Sequence, residues 1–223
     1  MLLQEERNLI VQYGKKLITH GLAKSTGGNL SICNRQQQLV ALSPSGLDYF
    51  ETEPEDIPVL TMEHDVVEGR GYPSSECEMH MIFYKRRDDI DALVHTHSVF
   101  ATAFASTNSN IPPIHYLMGF AGKDIRCAPY ATVATQSLAE GAFKAMADRK
   151  AVLLANHGLL AGGKSLGEAF TVAEIAEYCA EIYYRAKCIG EPAQLDAKEM
   201  DVLIKHFTAY GKQKRSGTIT EDL

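Results

Sequence analysis

Two histidines one residue apart, His95 and His97, stand in the stretch Val94-His95-Thr96-His97. On a strand such a pair faces one side, because side chains alternate with a period of two. Two imidazoles on one face are half of what a zinc-type ion needs, namely nitrogen ligands joined by oxygen in a roughly tetrahedral set. A third imidazole is offered by His157, which follows the apolar run Ala151-Val152-Leu153-Leu154-Ala155 and precedes Gly158. The pair alone also fits two polar residues at a strand end, so the ligand reading depends on what the rest of the chain supplies.

Small-residue turns offer a second kind of chemistry. Ser25-Thr26-Gly27-Gly28-Asn29, Ser43-Pro44-Ser45-Gly46 and Pro73-Ser74-Ser75 combine glycines, hydroxyls and prolines. Such turns expose backbone N–H groups, and these nests hold phosphate. Each reads by itself as an ordinary turn. Two of them flanking one hairpin, with the third at Pro73-Ser74-Ser75, support a phosphate pocket better than any one of them does.

The elements that must position these groups follow from periodicity. Residues 5–20 predict an amphipathic helix, with Leu9, Ile10, Tyr13, Leu17 and Ile18 at helical spacing. Leu30–Cys33 and Leu39–Leu42 predict a hairpin, and 57–62 a further strand. Ser74 to His80 opens a helix of about three turns, capped by Ser75 and with Glu76 in the first turn, where the helix dipole favours a carboxylate. His80, one turn on, reads as a surface or packing residue. After the histidine strand come a short apolar helix, an extended loop at 111–116 with two prolines, and a strand within 122–130. A helix at 137–149, the buried strand 151–155, a long helix at 166–188 and a last helix at 197–210 complete the reading. Leu159 and Leu160 continue the strand or begin a hairpin, and the polar tail from Gly211 is expected to be mobile.

The 223 residues are expected to form one domain spanning 1–223, with a composition of 45% hydrophobic and 22% charged residues typical of soluble proteins. A formal charge of −6 argues against a nucleic-acid binder, though not against a small anion site. Five scattered cysteines suit free thiols in a reducing cytoplasm. With neither a signal peptide nor a run long enough to cross a bilayer, the expectation is a cytoplasmic protein with no membrane or nucleic-acid partner. Gly158 to Ser165 formally matches the P-loop pattern G-x-x-x-x-G-K-[ST]. The match is rejected, because no later strand remains to supply an acidic metal-holding residue and Leu159-Leu160 looks like strand.

Thr26-Gly-Gly-Asn29, Ser43-Pro-Ser-Gly46, Pro73-Ser-Ser-Glu76, His95-Thr-His97 and Asn156-His-Gly158, in this order, resemble the class II aldolase/epimerase family. Ile114-His-Tyr116 and Cys127-Ala-Pro-Tyr-Ala-Thr132 fit as well, so the resemblance runs from the first helix to Tyr210. It implies an α/β fold, a three-layer α/β/α sandwich around a mostly antiparallel sheet, in a homotetramer with active sites at subunit interfaces. It implies Zn2+ (or another divalent metal such as Mn2+) on His95, His97 and His157, with Glu76 as fourth ligand. Phosphate would be held by Gly28, Asn29, Ser45, Gly46, Ser74 and Ser75.

The implied reaction is cleavage of a phosphorylated sugar, a ketose 1-phosphate, with L-fuculose 1-phosphate in first place, to dihydroxyacetone phosphate and L-lactaldehyde. Zinc on three neutral imidazoles would stabilise the enediolate as a Lewis acid. Glu76 would be the base at the nucleophilic carbon, Tyr116 from a neighbouring subunit the acid for the aldehyde oxygen, and Tyr210 a second tyrosine closing over the substrate. Val133 stands where members that cleave fuculose phosphate have Phe, which leaves the sugar open. Epimerases of the family have Asp where Glu76 stands, which favours an aldolase. The alternatives on the same scaffold are decarboxylation of a 3-oxo-tetronate 4-phosphate, cleavage of a 5-deoxy- or methylthio-ribulose 1-phosphate, and pentulose-phosphate 4-epimerisation. A non-catalytic assembly module like the adducin head is the rival from a different class, but it lacks the three histidines present here.

Overall fold

The computed structural model describes residues 1–209 of the chain. In order these form α1 (Gln4–Thr19), β1 (Asn29–Asn34), β2 (Leu39–Leu42), β3 (Val59–Thr61), β4 (Val66–Glu68), α2 (Cys77–Arg86) and β5 (Ala92–Thr96). There follow α3 (Val99–Ser106), β6 (Arg126–Ala128), α4 (Gln136–Met146), β7 (Ala151–Leu154), β8 (Gly158–Gly163), α5 (Leu166–Ile189) and α6 (Ala197–Ala209). Short 3₁₀ turns occupy Pro54–Asp56 and Tyr116–Phe120. The eight strands make one sheet in the order β4-β3-β2-β1-β5-β8-β7-β6. Every neighbouring pair is antiparallel except β6 with β7.

The period of two in β5 explains the layers. Ala92 and Val94 pack with Ile10 and Leu17 of α1, Ala101 of α3 and Val172 and Ala176 of α5. Leu93 points the other way, into a cluster with Met79 and Phe83 of α2 and Leu138 and Ala142 of α4. Helices therefore cover both faces of the sheet, and the expected α/β/α sandwich is present. Because both faces are buried, β7 reads as an unbroken apolar run rather than an alternating one, and β5 is buried along its whole length. His95 shares the parity of Leu93, which aims it at the layer of α2.

Several local expectations change. Ser75 is exposed and does not cap α2. Glu76 occupies the N-cap position with no side-chain capping bond, and the Ser74 hydroxyl accepts the Glu76 N–H at 3.3 Å. The reason is geometric: Ser74 lies one residue closer to the sheet, tied in by the Pro44–Pro73 bridge. The helix α4 stops at Met146, where Ala147 takes a φ of 46°. Leu159 and Leu160 belong to a hairpin, since β8 returns antiparallel beside β7.

The segment that mimics a P-loop is the fully buried strand β8, not a phosphate cradle. Lys164 bonds the Asp88 carbonyl and the Asp91 carboxylate instead. All five cysteines are unpaired. Among the described residues no helix is long and apolar enough to cross a membrane. The expected mobile tail from Gly211 lies outside the described residues.

Candidate metal centre

Three backbone devices bring the histidines together. The antiparallel β5–β8 ladder sets His95 opposite Leu160, and the Nδ1–H of His95 donates to the Leu159 carbonyl at 2.9 Å. That bond fixes the tautomer and leaves Nε2 bare toward the site. His97 follows the end of β5, its N–H tied to the Leu22 carbonyl. His157 sits in the tight turn between β7 and β8 rather than at a strand end, after Asn156 at a φ of 54°. Gly158 is required beside it, because a Cβ there would overlap the Thr96 carbonyl. Gly28, at a φ of 73°, is equally constrained: a Cβ would lie 2.7 Å from the His95 carbonyl oxygen.

The result is a compact triad. One ligand nitrogen from each of His95, His97 and His157 lies within 4.8 Å of the others, and the Nε2 atoms of His95 and His97 are 2.9 Å apart. Burial, and then its two imidazole neighbours, hold His95 well below the usual histidine range. Burial and His157 depress His97 as well, against the pull of Glu76. Neutral imidazoles with converging bare nitrogens are the form a divalent metal requires.

Glu76 completes the set. Its Oε1 lies 3.4 Å from His157 Nε2 and its Oε2 lies 3.3 Å from His95 Nε2. Oε2 accepts a 2.8 Å bond from the Asn29 amide, whereas Oε1 is buried with no hydrogen-bond partner. A buried, unpartnered carboxylate oxygen costs free energy unless a cation or proton meets it. Three imidazoles and this orphaned oxygen fit a divalent metal. The helix-capping account of Glu76 fails, since the carboxylate turns away from the helix N–H groups.

The candidate phosphate loops also meet. Ser43 bonds Leu30 in both directions, Tyr49 donates to the Gly28 carbonyl at 2.8 Å, and Ser45 N–H donates to the Tyr72 carbonyl at 2.8 Å. Gly28, Ser45, Gly46, Ser74 and Ser75 are thereby gathered on three linked loops beside the triad, with Ser45, Gly46 and Ser75 exposed and Ser74 buried. The Asn29 side chain bonds Glu76 and His80.

Tyr116 is not brought to the triad within the protomer. It opens a 3₁₀ turn, is 53% exposed, and contacts the rings of His115 and Phe207. Tyr210 lies outside the described residues. His80, read as a surface or packing residue, is fully buried, and its bond to Asn29 is what sequence reasoning missed. Its spacing of four from Glu76 was the available signal, since i and i+4 share a helix face.

The buried histidines predict how the metal-free protein responds to acid. His80, His95 and His97 are all depressed from 6.5, His80 to about 3, first by burial. Their contribution is complete above about 6.5 and is lost as pH falls toward the folded values, because the unfolded chain binds these protons first. Thermal melts of metal-free protein should therefore show the melting temperature falling by several degrees between pH 7.5 and pH 5. A flat profile over that range would contradict the buried neutral state.

The sequence pattern described as Class II Aldolase and Adducin N-terminal domain matches residues 8–184. The chain belongs to the class II aldolase family. As a class II aldolase it is a carbon–carbon lyase. It is 57% identical over 213 residues to a 5-deoxy-D-ribulose 1-phosphate aldolase of Bacillus thuringiensis serovar kurstaki, covering 96% of this chain and 100% of that one. It is 37% identical to an L-fuculose phosphate aldolase of Escherichia coli, covering 86% and 88%. A solved structure named L-fuculose 1-phosphate aldolase superposes on this aldolase with a TM-score of 0.90, at 48% identity and with 92% of this chain and 96% of that one covered. The adducin half of the family name carries no weight against catalysis here, since all three histidines are present and converge.

Proposed function

We propose that the chain is a zinc-dependent aldolase that cleaves 5-deoxy-D-ribulose 1-phosphate to dihydroxyacetone phosphate and acetaldehyde. The observation that carries this choice of sugar is the 57% identity to the Bacillus thuringiensis relative, which extends over its whole length. Val133, more than half exposed, adds support as a departure from the Phe of the fuculose pattern. L-Fuculose 1-phosphate moves from first place to second, favoured by the 48% identity to the solved structure of that name. The whole chain would act as one catalytic domain, because the sheet joins strands from residue 29 to residue 163.

Each proposed role rests on position. A divalent metal on His95, His97 and His157 would supply Lewis-acid polarisation of the substrate oxygens. Zinc is favoured over manganese by a donor set dominated by imidazole. In cleavage the C3–C4 bond breaks, its electron pair stays on C3, and the C4 hydroxyl loses its proton as the aldehyde carbonyl forms. Glu76 delivers the proton to C3, for which its buried, unpartnered Oε1 is poised. Tyr116 of a second copy takes the C4 hydroxyl proton, consistent with its exposure away from its own triad. That assignment needs an oligomer, and a homotetramer is the proposed form. Gly28, Ser45, Gly46, Ser74 and Ser75 hold the phosphate through N–H and hydroxyl groups. The unpaired cysteines support a reducing, cytoplasmic setting.

A panel of sugars tests the assignment. With zinc-loaded enzyme, kcat/KM for 5-deoxy-D-ribulose 1-phosphate should exceed that for L-fuculose 1-phosphate by about tenfold or more, the size expected for one additional carbon. The unphosphorylated ketoses should be poor substrates by a further two orders of magnitude or so. Faster cleavage of fuculose 1-phosphate would install the second reading. Equal rates for phosphorylated and unphosphorylated sugars would remove the phosphate pocket.

A further inference from the structure

We propose that His80 is a positioning residue for Glu76, acting through the Asn29 side chain to aim the carboxylate into the site. The proposal rests on Glu76 as the proton-transferring group. His80 lies one turn along α2 from Glu76, is fully buried, and bonds Asn29 and Ser31.

The hydrogen bonds of this buried row admit one consistent direction. Glu76 Oε2 is an acceptor, so the Asn29 group at 2.8 Å must be its amide nitrogen, and Asn29 Oδ1 then faces His80. The His80 Nε2–H donates to that oxygen at 2.5 Å. His80 Nδ1 must accept, and the Ser31 hydroxyl donates to it at 2.6 Å. Ser31 in turn accepts from the Tyr84 hydroxyl at 2.5 Å. Burial holds His80 down at about 3 and holds Tyr84 well above its ordinary value, so both stay neutral and the polarity of the row is fixed.

The row is anchored at each link. Ser31 and Asn29 lie on β1, two residues apart on one face, and Tyr84 and His80 lie on α2 at a spacing of four. Strand and helix therefore clamp the Asn29 amide from behind. The amide secures Oε2, and Oε1 is left as the one carboxylate oxygen turned toward the histidine triad without a partner. Were the Asn29 amide free to flip, its oxygen would face Oε2, and two acceptors would repel. His80 prevents that flip.

The test uses His80→Phe, which keeps ring volume without a donor, and His80→Gln, which restores an N–H. Two readouts are taken on the full-length protein: zinc affinity by chelator competition, and solvent deuterium exchange into dihydroxyacetone phosphate. His80→Phe should weaken zinc about tenfold, the usual effect of losing a ligand's supporting partner. It should also slow the exchange kcat by at least tenfold with KM nearly unchanged, and His80→Gln should recover most of both losses. A purely structural His80 would lower thermal stability without this pattern. Folded His80→Phe with wild-type zinc affinity and exchange overturns the proposal, as does His80→Gln no better than His80→Phe. If His80→Phe fails to fold, Ser31→Ala decides by the same two readouts: smaller losses of the same kind support the proposal, and none overturns it. Absence of exchange in the wild-type protein would instead overturn the role of Glu76, and the proposal with it.

Discussion

His97→Ala should abolish metal binding and aldol cleavage together. The triad offers three bare nitrogens within 4.8 Å of one another, and His97 sits between the loop at Gly27 and the turn at Gly158. Removing it leaves two imidazoles and a carboxylate whose Oε2 is already engaged by Asn29, so zinc should no longer be held at ordinary concentrations. Lewis-acid stabilisation is worth several kcal/mol, so a loss of about 4 kcal/mol lowers the rate by roughly a thousandfold. The fold should survive, because His97 is partly exposed and is not part of either apolar cluster. Elemental analysis alongside a cleavage assay checks both halves. A variant that still binds one equivalent of zinc, or that cleaves substrate without it, contradicts the site.

Glu76→Gln should separate the metal from the proton transfer. Glutamine has the same shape, and its oxygen can still accept the Asn29 amide that now bonds Oε2. What it presents toward the triad is an NH2 group, which can neither serve as a base nor ligate a metal. The three histidines remain, so zinc stays bound with weaker affinity, while exchange of the dihydroxyacetone phosphate proton falls by about 10² to 10⁴. Mass spectrometry of the product in heavy water measures it. Exchange close to the wild-type rate would show that another group carries the proton.

What the sequence disclosed depended on how local each signal was. The hairpin β1–β2, the strand β5 and the long α5 carry their periods within a few residues, and the structure places them as read, except that β5 ends at Thr96, one residue before His97. The His95–His97 pair was visible because its spacing is itself a strand signature. His157 was visible as a residue but misplaced as a strand end, since an apolar run followed by Asn-His-Gly does not separate a terminus from a tight turn. Glu76 was legible only through the family resemblance, because a carboxylate at a helix start needs no metal to account for it. Only the tertiary contact with Asn29, 47 residues away, shows that the side chain leaves the helix. His80 gave only the weak signal of its spacing from Glu76, because a single histidine on a helix commonly packs or faces water, and its bonded partners Asn29 and Ser31 lie on another element. Tyr116 cannot be placed by one protomer, where its ring meets those of His115 and Phe207 among the described residues. The P-loop match shows the opposite case, a specific spelling whose rejection is borne out by a buried antiparallel strand.

The central claim is that a metal on His95, His97 and His157, with Glu76 beside it, activates the hydrogen next to a phosphorylated ketone. It is tested most directly by following solvent deuterium into dihydroxyacetone phosphate by NMR, using one protein preparation stripped of metal and then reconstituted with one equivalent of zinc. The account predicts no enzymatic exchange in the stripped protein and rapid, stereospecific uptake of one deuterium at the hydroxymethyl carbon on reconstitution. Equal exchange with and without the metal, or none with zinc bound, would contradict it.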